Sequence, residues 1–274
     1  MRPMPAGLAA LVLLAALPVL AQPPAGPATP GVESIRLLSG WTRPDGARLA
    51  AVQIRLAPGW HTYWRNPGAS GVPPEFDWSG SANLADVAYE WPRPRVFDSY
   101  GAATIGYKNS LTLPILLTPA QAGQPIEARL DLFFGVCKDI CIPAEARLEA
   151  RLDPADPAEG RAEIEGALAD RPLDAAALGV TARCALAPGD GGGAITAEIT
   201  GAGGRFGRGA TAVIEADARP DLWIGPAATR AEGGRLLATA RLESAAGAAL
   251  DRNALRLTLL EDDQALDIRG CAGG

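Results

Sequence analysis

From Leu130 to Cys137 the chain alternates. Leu130, Leu132, Phe134 and Val136 are apolar, and Asp131, Phe133, Gly135 and Cys137 lie between them. A period of two places the first four on one face of a β-strand. Downstream, Ala146, Leu148, Ala150 and Leu152 alternate with Arg147, Glu149 and Arg151, which predicts a second strand of the same kind. The segment between them reads Cys137-Lys138-Asp139-Ile140-Cys141-Ile142-Pro143. On a helix, residues four apart share a face. In a hairpin with a three-residue loop, Cys137 and Cys141 become the closing cross-strand pair. Opposed strand residues sit about 4.5–5.5 Å apart at Cα, inside the roughly 4.4–6.8 Å window of a disulfide. The β-patterned flanks favour the hairpin. Asp139 is expected in the left-handed conformation that such loops want. Pro143, without an amide donor, is expected at a strand start or sheet edge.

The same pattern predicts strands over Ile35 to Leu38 and Arg48 to Leu56, joined by the Pro44-Asp45-Gly46 turn. Leu111 to Leu117 is broken by Pro114 and is expected at an edge. Gln124 to Cys137 and Glu145 to Leu152 complete this region. Between Ala158 and Ala169 the period lengthens. Ile164 and Leu168 share a face, opposite Glu159, Arg161, Glu163 and Glu165, as in a short helix packed lightly on a neighbour. Alternation then returns over Val180 to Leu186, Ala194 to Thr200, Thr211 to Ala216, Arg235 to Leu242, Leu255 to Leu260 and Ala265 to Ile268. Short strands between Gly- and Asp-rich turns predict an all-β chain: one sandwich over residues 32–152, a linker with its helix over 153–178, and a second, smaller sandwich over 179–274. The Gly-rich pieces near 191–193 and 201–204 lack the strand–loop–helix setting of a phosphate site and read as turns.

At the N-terminus, Arg2 precedes an apolar run from Ala6 to Ala21, the form of a secretory signal over residues 1–21. A Pro/Ala/Gly-rich leader follows over 22–31. The reading is an exported protein, in a compartment where disulfides form. A net charge of −6 offers no electrostatic footprint for nucleic acid.

Compartment changes the meaning of the four cysteines, which allow three connectivities. Pairing Cys184 with Cys271 closes a long ring and makes sense as a staple, worth roughly 4.6 kcal/mol in a chain-entropy estimate. A Cys137–Cys141 bridge closes a five-residue ring worth only about 2 kcal/mol. So weak a staple asks for another purpose, and neighbouring thiols suit dithiol exchange, one attacking and the other resolving. The alternatives are a hairpin clip, or a ligand pair for a soft metal such as Cu(I).

Several motifs occur in order: Gly59-Trp60…Tyr63-Trp64-Arg65-Asn66-Pro67-Gly68, Phe97-Asp98-Ser99-Tyr100-Gly101, Ile105-Gly106-Tyr107, Leu111-Thr112-Leu113-Pro114, and the Cys137 to Pro143 segment. Over roughly residues 33–152 this series resembles the N-terminal periplasmic domain of the thiol:disulfide interchange protein DsbD, and the related ScsB-like copper-tolerance proteins. The resemblance implies an immunoglobulin-like domain with Cys137 and Cys141 as the redox pair and Phe97, Asp98, Ser99, Tyr100 and Gly101 as the cap loop that shields it. It implies no cofactor. Electrons would come from a thioredoxin-like partner fed by a membrane CcdA- or DsbD-like protein, and pass to oxidised periplasmic proteins, cytochrome c maturation factors among them. By family position Cys137 is the less expected first attacker. Three departures stand out. The pair is more closely spaced than in the family's best-known members, Ser99 replaces a shielding aromatic, and the chain carries neither a membrane domain nor a thioredoxin-like one.

Other residues have competing readings. His61, the one histidine, is either a packing residue or, with Cys137 and Cys141, a Cu(I) ligand, which makes a copper-binding protein the rival function. A non-catalytic adaptor is the third. Asp98 and Glu145 are either solvated carboxylates or proton carriers for the sulfurs. The aromatics Trp60, Trp64, Phe76, Trp78, Tyr89 and Trp91 fill a core or form a peptide-binding surface.

Overall fold

The computed structural model describes residues 29–273, except 100, 190–191, 202–205, 207–208, 217–218, 220–221, 245–249 and 262. The expected signal peptide and all but the last three residues of the leader lie outside them. The first half of the chain forms β1 (Val32–Thr42), β2 (Arg48–Leu56), β3 (His61–Gly68), β4 (Glu75–Asp77), β5 (Leu84–Tyr89), β6 (Arg95–Ser99), β7 (Ala102–Lys108), β8 (Ser110–Pro119), β9 (Ile126–Cys137) and β10 (Cys141–Leu152). One sheet runs β1-β2-β8-β5. The other runs β10-β9-β3-β7-β6, with β4 also paired to β9.

Alternation decides what lies between these sheets. Leu113, Ile115 and Leu117 of β8 and Ala50, Val52 and Ile54 of β2 meet Leu130, Leu132, Phe134 and Val136 of β9 and Trp64 of β3. The intervening residues of β9, Phe133, Gly135 and Cys137, consequently point to the outer face. Of the aromatics, Trp64 and Trp91 are buried, while Trp60, Phe76, Trp78 and Tyr89 pack partly buried against the same cluster.

Two expectations about proline diverge. Pro143 lies on β10, an edge strand, as anticipated. Pro114 lies on β8, between β2 and β5, so its assignment to an edge was wrong. A strand residue presents N and C=O to the same side. The Pro114 carbonyl accepts the amide of Glu90, just past the end of β5. The missing donor therefore falls opposite Glu90, where the neighbouring strand has run out.

The helix α1 (Arg161–Ala169) lies on the outer face of the β1-β2-β8-β5 sheet. There Ile164 packs with Leu38, Leu49 and Ala51, and with partly buried Trp41, Leu116 and Leu168. This is why β2 is buried on both faces. The contact is also firmer than the light packing expected, since a fully buried Ile contributes about 1.5–3 kcal/mol. No helix among the described residues is long and apolar enough to cross a membrane.

The second sandwich contains β11 (Leu173–Asp174), β12 (Thr181–Gly189), β13 (Gly192–Thr200), β14 (Thr211–Ala216), β15 (Leu222–Ile224), β16 (Ala228–Glu232), β17 (Arg235–Ser244), β18 (Leu255–Leu260), β19 (Ala265–Arg269) and β20 (Ala272–Gly273). Its sheets run β11-β19-β18-β14 and β15-β17-β13-β12-β20, with β16 also on β17. Cys184 of β12 is bonded to Cys271 at the entry to β20, and both lie within the buried cluster.

The sandwiches touch. Val213, Leu260 and Ala265 join the first core cluster. Arg65, at the far end of β3, donates from Nε to Glu215 Oε1 at 3.1 Å and from Nη2 to Glu215 Oε2 at 2.7 Å, and also reaches Thr258 Oγ1. Its guanidinium lies 3.9 Å from the Trp64 ring centre. The strand that starts at His61 is thus anchored at its other end to the second sandwich.

Candidate active site

The hairpin expected between β9 and β10 is present. Cys137 and Cys141 are its closing register pair, they are disulfide-bonded, and their Cα atoms lie 4.2 Å apart. So short a separation marks a non-hydrogen-bonded pair. The Lys138 amide donates to the Ile140 carbonyl at 3.3 Å and closes the loop. Asp139 is not left-handed, contrary to expectation: Asn83 and Asn109 are the non-glycine residues with positive φ among those described. A loop closed covalently as well as by this bond completes its turn without that conformation.

The two sulfur-bearing residues differ in exposure. Cys137 is 1% exposed, whereas Cys141 opens the edge strand and is exposed. Cys137 is covered from β3. His61 is its register partner there, and Tyr63, two residues on, shares that face. The Tyr63 hydroxyl lies 2.6 Å from Cys137 Sγ and 2.9 Å from Cys141 Sγ. Since a disulfide carries no hydrogen, the phenol is the donor. Its ring fits against two glycines: a Cβ on Gly135 would stand 2.8 Å from the ring, and one on Gly71 2.4 Å. Burial raises the Tyr63 pKa, so the proton stays on the phenol at physiological pH.

His61 is buried, and its Nε2 has no hydrogen-bond partner among the described residues. Phe97 packs edge-on against it, ring centres 4.7 Å apart, and the Lys108 ammonium sits 4.8 Å from the Phe97 ring centre. Burial, and then Lys108, lower the His61 pKa. The unfolded chain protonates this residue near pH 6.5, while the native state resists. Stability linked to His61 is therefore complete above about pH 6.5 and is lost as pH falls toward the depressed native value. The expected result is a urea midpoint that drops more between pH 7 and pH 5 in the unmodified protein than in His61→Gln. Parallel pH profiles would contradict it.

The residues expected as the cap loop lie on a hairpin arm. Phe97, Asp98 and Ser99 belong to β6, opposite Thr104, Ala103 and Ala102 of β7. The alternation is too weak there, among Arg, Asp and Ser, to announce a strand. Asp98 is exposed and accepts the Gly101 amide at 3.1 Å across the turn. Tyr100 lies outside the described residues. Phe97 contacts His61, while the aromatic that touches the sulfurs is Tyr63. Glu145 is exposed on β10, opposite Phe133. Among the described residues, no group of three His, Cys, Asp or Glu side chains converges as metal ligands would.

Tyr63 was not singled out from sequence, though its signal was there. His61 and Tyr63 are two apart in a segment that proves to be a strand, so they share a face, and Gly135 is a gap in an otherwise bulky β9.

Comparison with known proteins fits this geometry. Residues 36–153 match the family described as "Thiol:disulfide interchange protein DsbD, N-terminal". The N-terminal periplasmic domain of ScsB from Proteus mirabilis superposes with a TM-score of 0.57 and 24% identity, covering 88% of this chain and 100% of that one. The reduced N-terminal domain of DsbD from Neisseria meningitidis aligns at a TM-score of 0.28 and 15% identity, over 43% of this chain and 85% of that one. No curated protein matches. The likeness to ScsB carries the fold, immunoglobulin-like sandwiches in series, across nearly the whole chain. Over residues 36–153 the resemblance read from the motifs holds: this part of the chain matches the family of DsbD N-terminal domains.

Proposed function

We propose that this chain is a periplasmic thiol–disulfide exchange protein, in which Cys137–Cys141 accepts two electrons from a dithiol partner and hands them to an oxidised exported protein. The observation that carries this reading is a disulfide with one buried and one exposed cysteine, both sulfurs within hydrogen-bond reach of one protonated phenol. A partner thiolate attacks Cys141 Sγ. The Cys141–Cys137 bond breaks, and Cys137 leaves as a thiolate that accepts the Tyr63 O–H. A hydrogen bond to an anion is roughly twice as strong as one between neutral groups, so Tyr63 favours the reduced state. The partner's second thiol then resolves the mixed disulfide, releasing Cys141 and leaving the partner oxidised. Transfer onward runs in reverse: the Cys141 thiolate attacks a substrate disulfide and Cys137 resolves it.

In this reading residues 32–152 form the redox domain and 179–274 a second domain tied to it through Arg65. The segment 1–21 is the export signal, and the β6–β7 arm, with Phe97 over His61, is the cap. Electrons come from a thioredoxin-like protein coupled to a membrane CcdA- or DsbD-like donor. Equilibrating the protein in graded glutathione and trapping free thiols tests this. The expected potential of the Cys137/Cys141 couple is near about −200 mV. A value below about −300 mV identifies a structural clip and ends the proposal. Tyr63→Phe is expected to lower that potential by about 30 mV, the equivalent of one hydrogen bond to a thiolate.

A further inference from the structure

Ile140 is 69% exposed, more than any other large apolar side chain among the described residues. Trp223 follows at 52%, but it lines a cleft of about 750 Å³ between the sandwiches, with Pro67 and Pro226. Ile140 stands instead at the tip of the redox hairpin, one residue before the exposed Cys141. Nothing in the folding of this chain asks for an isoleucine there. A three-residue loop in water is served as well by a polar residue, and burial elsewhere in the chain contributes nothing to it.

Exchange chemistry gives the side chain a use. In a mixed disulfide at Cys141 the partner's Cα comes within roughly 4.4–6.8 Å of Cys141 Cα. The residue next to Cys141 is then enclosed in the same contact. The tip is held by the disulfide and by the Lys138 amide on the Ile140 carbonyl, so little backbone freedom remains to be lost on docking. A partner cannot readily add a strand at this point. The Cys137/Cys141 pair is of the non-hydrogen-bonded kind, and two residues on, Pro143 repeats that phase opposite Gly135. Its ring nitrogen faces the open edge, where a donor would be needed. Lys138 and Asp139 cancel in charge, so the tip has no net field with which to attract a charged partner. What remains is an apolar side-chain contact.

We propose that Ile140 is a docking knob for the dithiol protein that reduces Cys137–Cys141, and that this protein carries its reactive cysteine within an apolar collar that receives the isoleucine. This rests on the exchange reading above. In the encounter the partner thiolate forms a bond to Cys141 Sγ, Cys137 leaves as the thiolate, and the partner's second thiol completes the two-electron transfer.

The test compares two reductants on the oxidised full chain: bacterial thioredoxin, kept reduced by its reductase and NADPH, and dithiothreitol, which has no collar. Ile140→Ala and Ile140→Ser are expected to slow reduction by thioredoxin about tenfold. They are expected to leave the dithiothreitol rate within about twofold, and the defect should persist at high salt because no charge is involved. Unchanged thioredoxin rates in both variants overturn the proposal. So does an equal slowing with both reductants, which would place Ile140's effect on the disulfide itself, and so does a defect that vanishes with salt. Failure of both reductants to open Cys137–Cys141 in the unmodified folded protein refutes instead the exchange reading beneath it.

Discussion

Cys137→Ser is expected to accumulate as a mixed disulfide with exported proteins, and Cys141→Ser is expected to trap almost nothing. Exposure sets the direction. Removing Cys137 leaves the exposed Cys141 thiol without its resolving neighbour, so its adduct with a partner has no internal route to release. Removing Cys141 leaves Cys137, 1% exposed and covered by Tyr63 and by the strand that bears His61. An attacking sulfur needs access as well as thiolate character. Turnover with an oxidised substrate should fall to background in both variants, since each step needs both sulfurs, and residues that act as a unit do not lose activity additively. Trapping should separate them by at least about tenfold. Non-reducing electrophoresis after acid quenching in the exporting cell, with the captured protein identified, is the measurement. Equal capture by the two variants would mean that the buried sulfur is reached by a motion the oxidised fold does not display, and would remove the basis for assigning the attack to Cys141.

How far this site could be read from residues depends on which side chains report their own geometry. The hairpin was legible because β9 and the later part of β10 each alternate cleanly, and because two cysteines four residues apart have few ways to meet. The outer-face position of Cys137 followed from the same alternation, since Phe134 and Val136 had to face the core. Strands β3, β6 and β7 were not legible. In β3, Tyr63 and Trp64 are both buried, one under the hairpin and one in the core, so the period of two is erased. Its later residues, Asn66-Pro67-Gly68, read as a turn. Pro114 misled because the rule about edges concerns the missing donor, and in β8 that donor points past the end of β5. The contact of Arg65 with Glu215 joins residues 150 apart, and no local pattern announces such a pair. The role of Tyr63 likewise depends on two glycines, one on β9 and one in the loop after β3, that meet only once the chain has folded.

The second large effect concerns the other disulfide. Replacing Cys184 and Cys271 by alanine is expected to destabilise the second sandwich by about 4–5 kcal/mol, the chain-entropy value for a bridge across 87 positions. Against a total of roughly 5–15 kcal/mol for an ordinary domain, that is a large share. The five-residue ring at Cys137–Cys141 restrains the unfolded chain by only about 2 kcal/mol, so reducing it should leave the fold standing. Access reinforces the contrast. Cys184 and Cys271 are 0% and 4% exposed and sit in the second core, so mild reductant on the native protein should open only Cys137–Cys141, with Cys141 the thiol that alkylates, and reduction under denaturing conditions should expose all four. Hydrogen exchange then locates the damage in the double variant. Protection should collapse in β12, β13 and β17, while β2, β8 and β9 keep theirs. Amides at the Arg65 end of β3 should lose some protection, because Glu215 belongs to the destabilised sandwich. A loss of less than about 1 kcal/mol, or exchange raised equally through both sandwiches, would show that Cys184–Cys271 is not the staple. The separation of one working bridge from one structural bridge would then have to be abandoned.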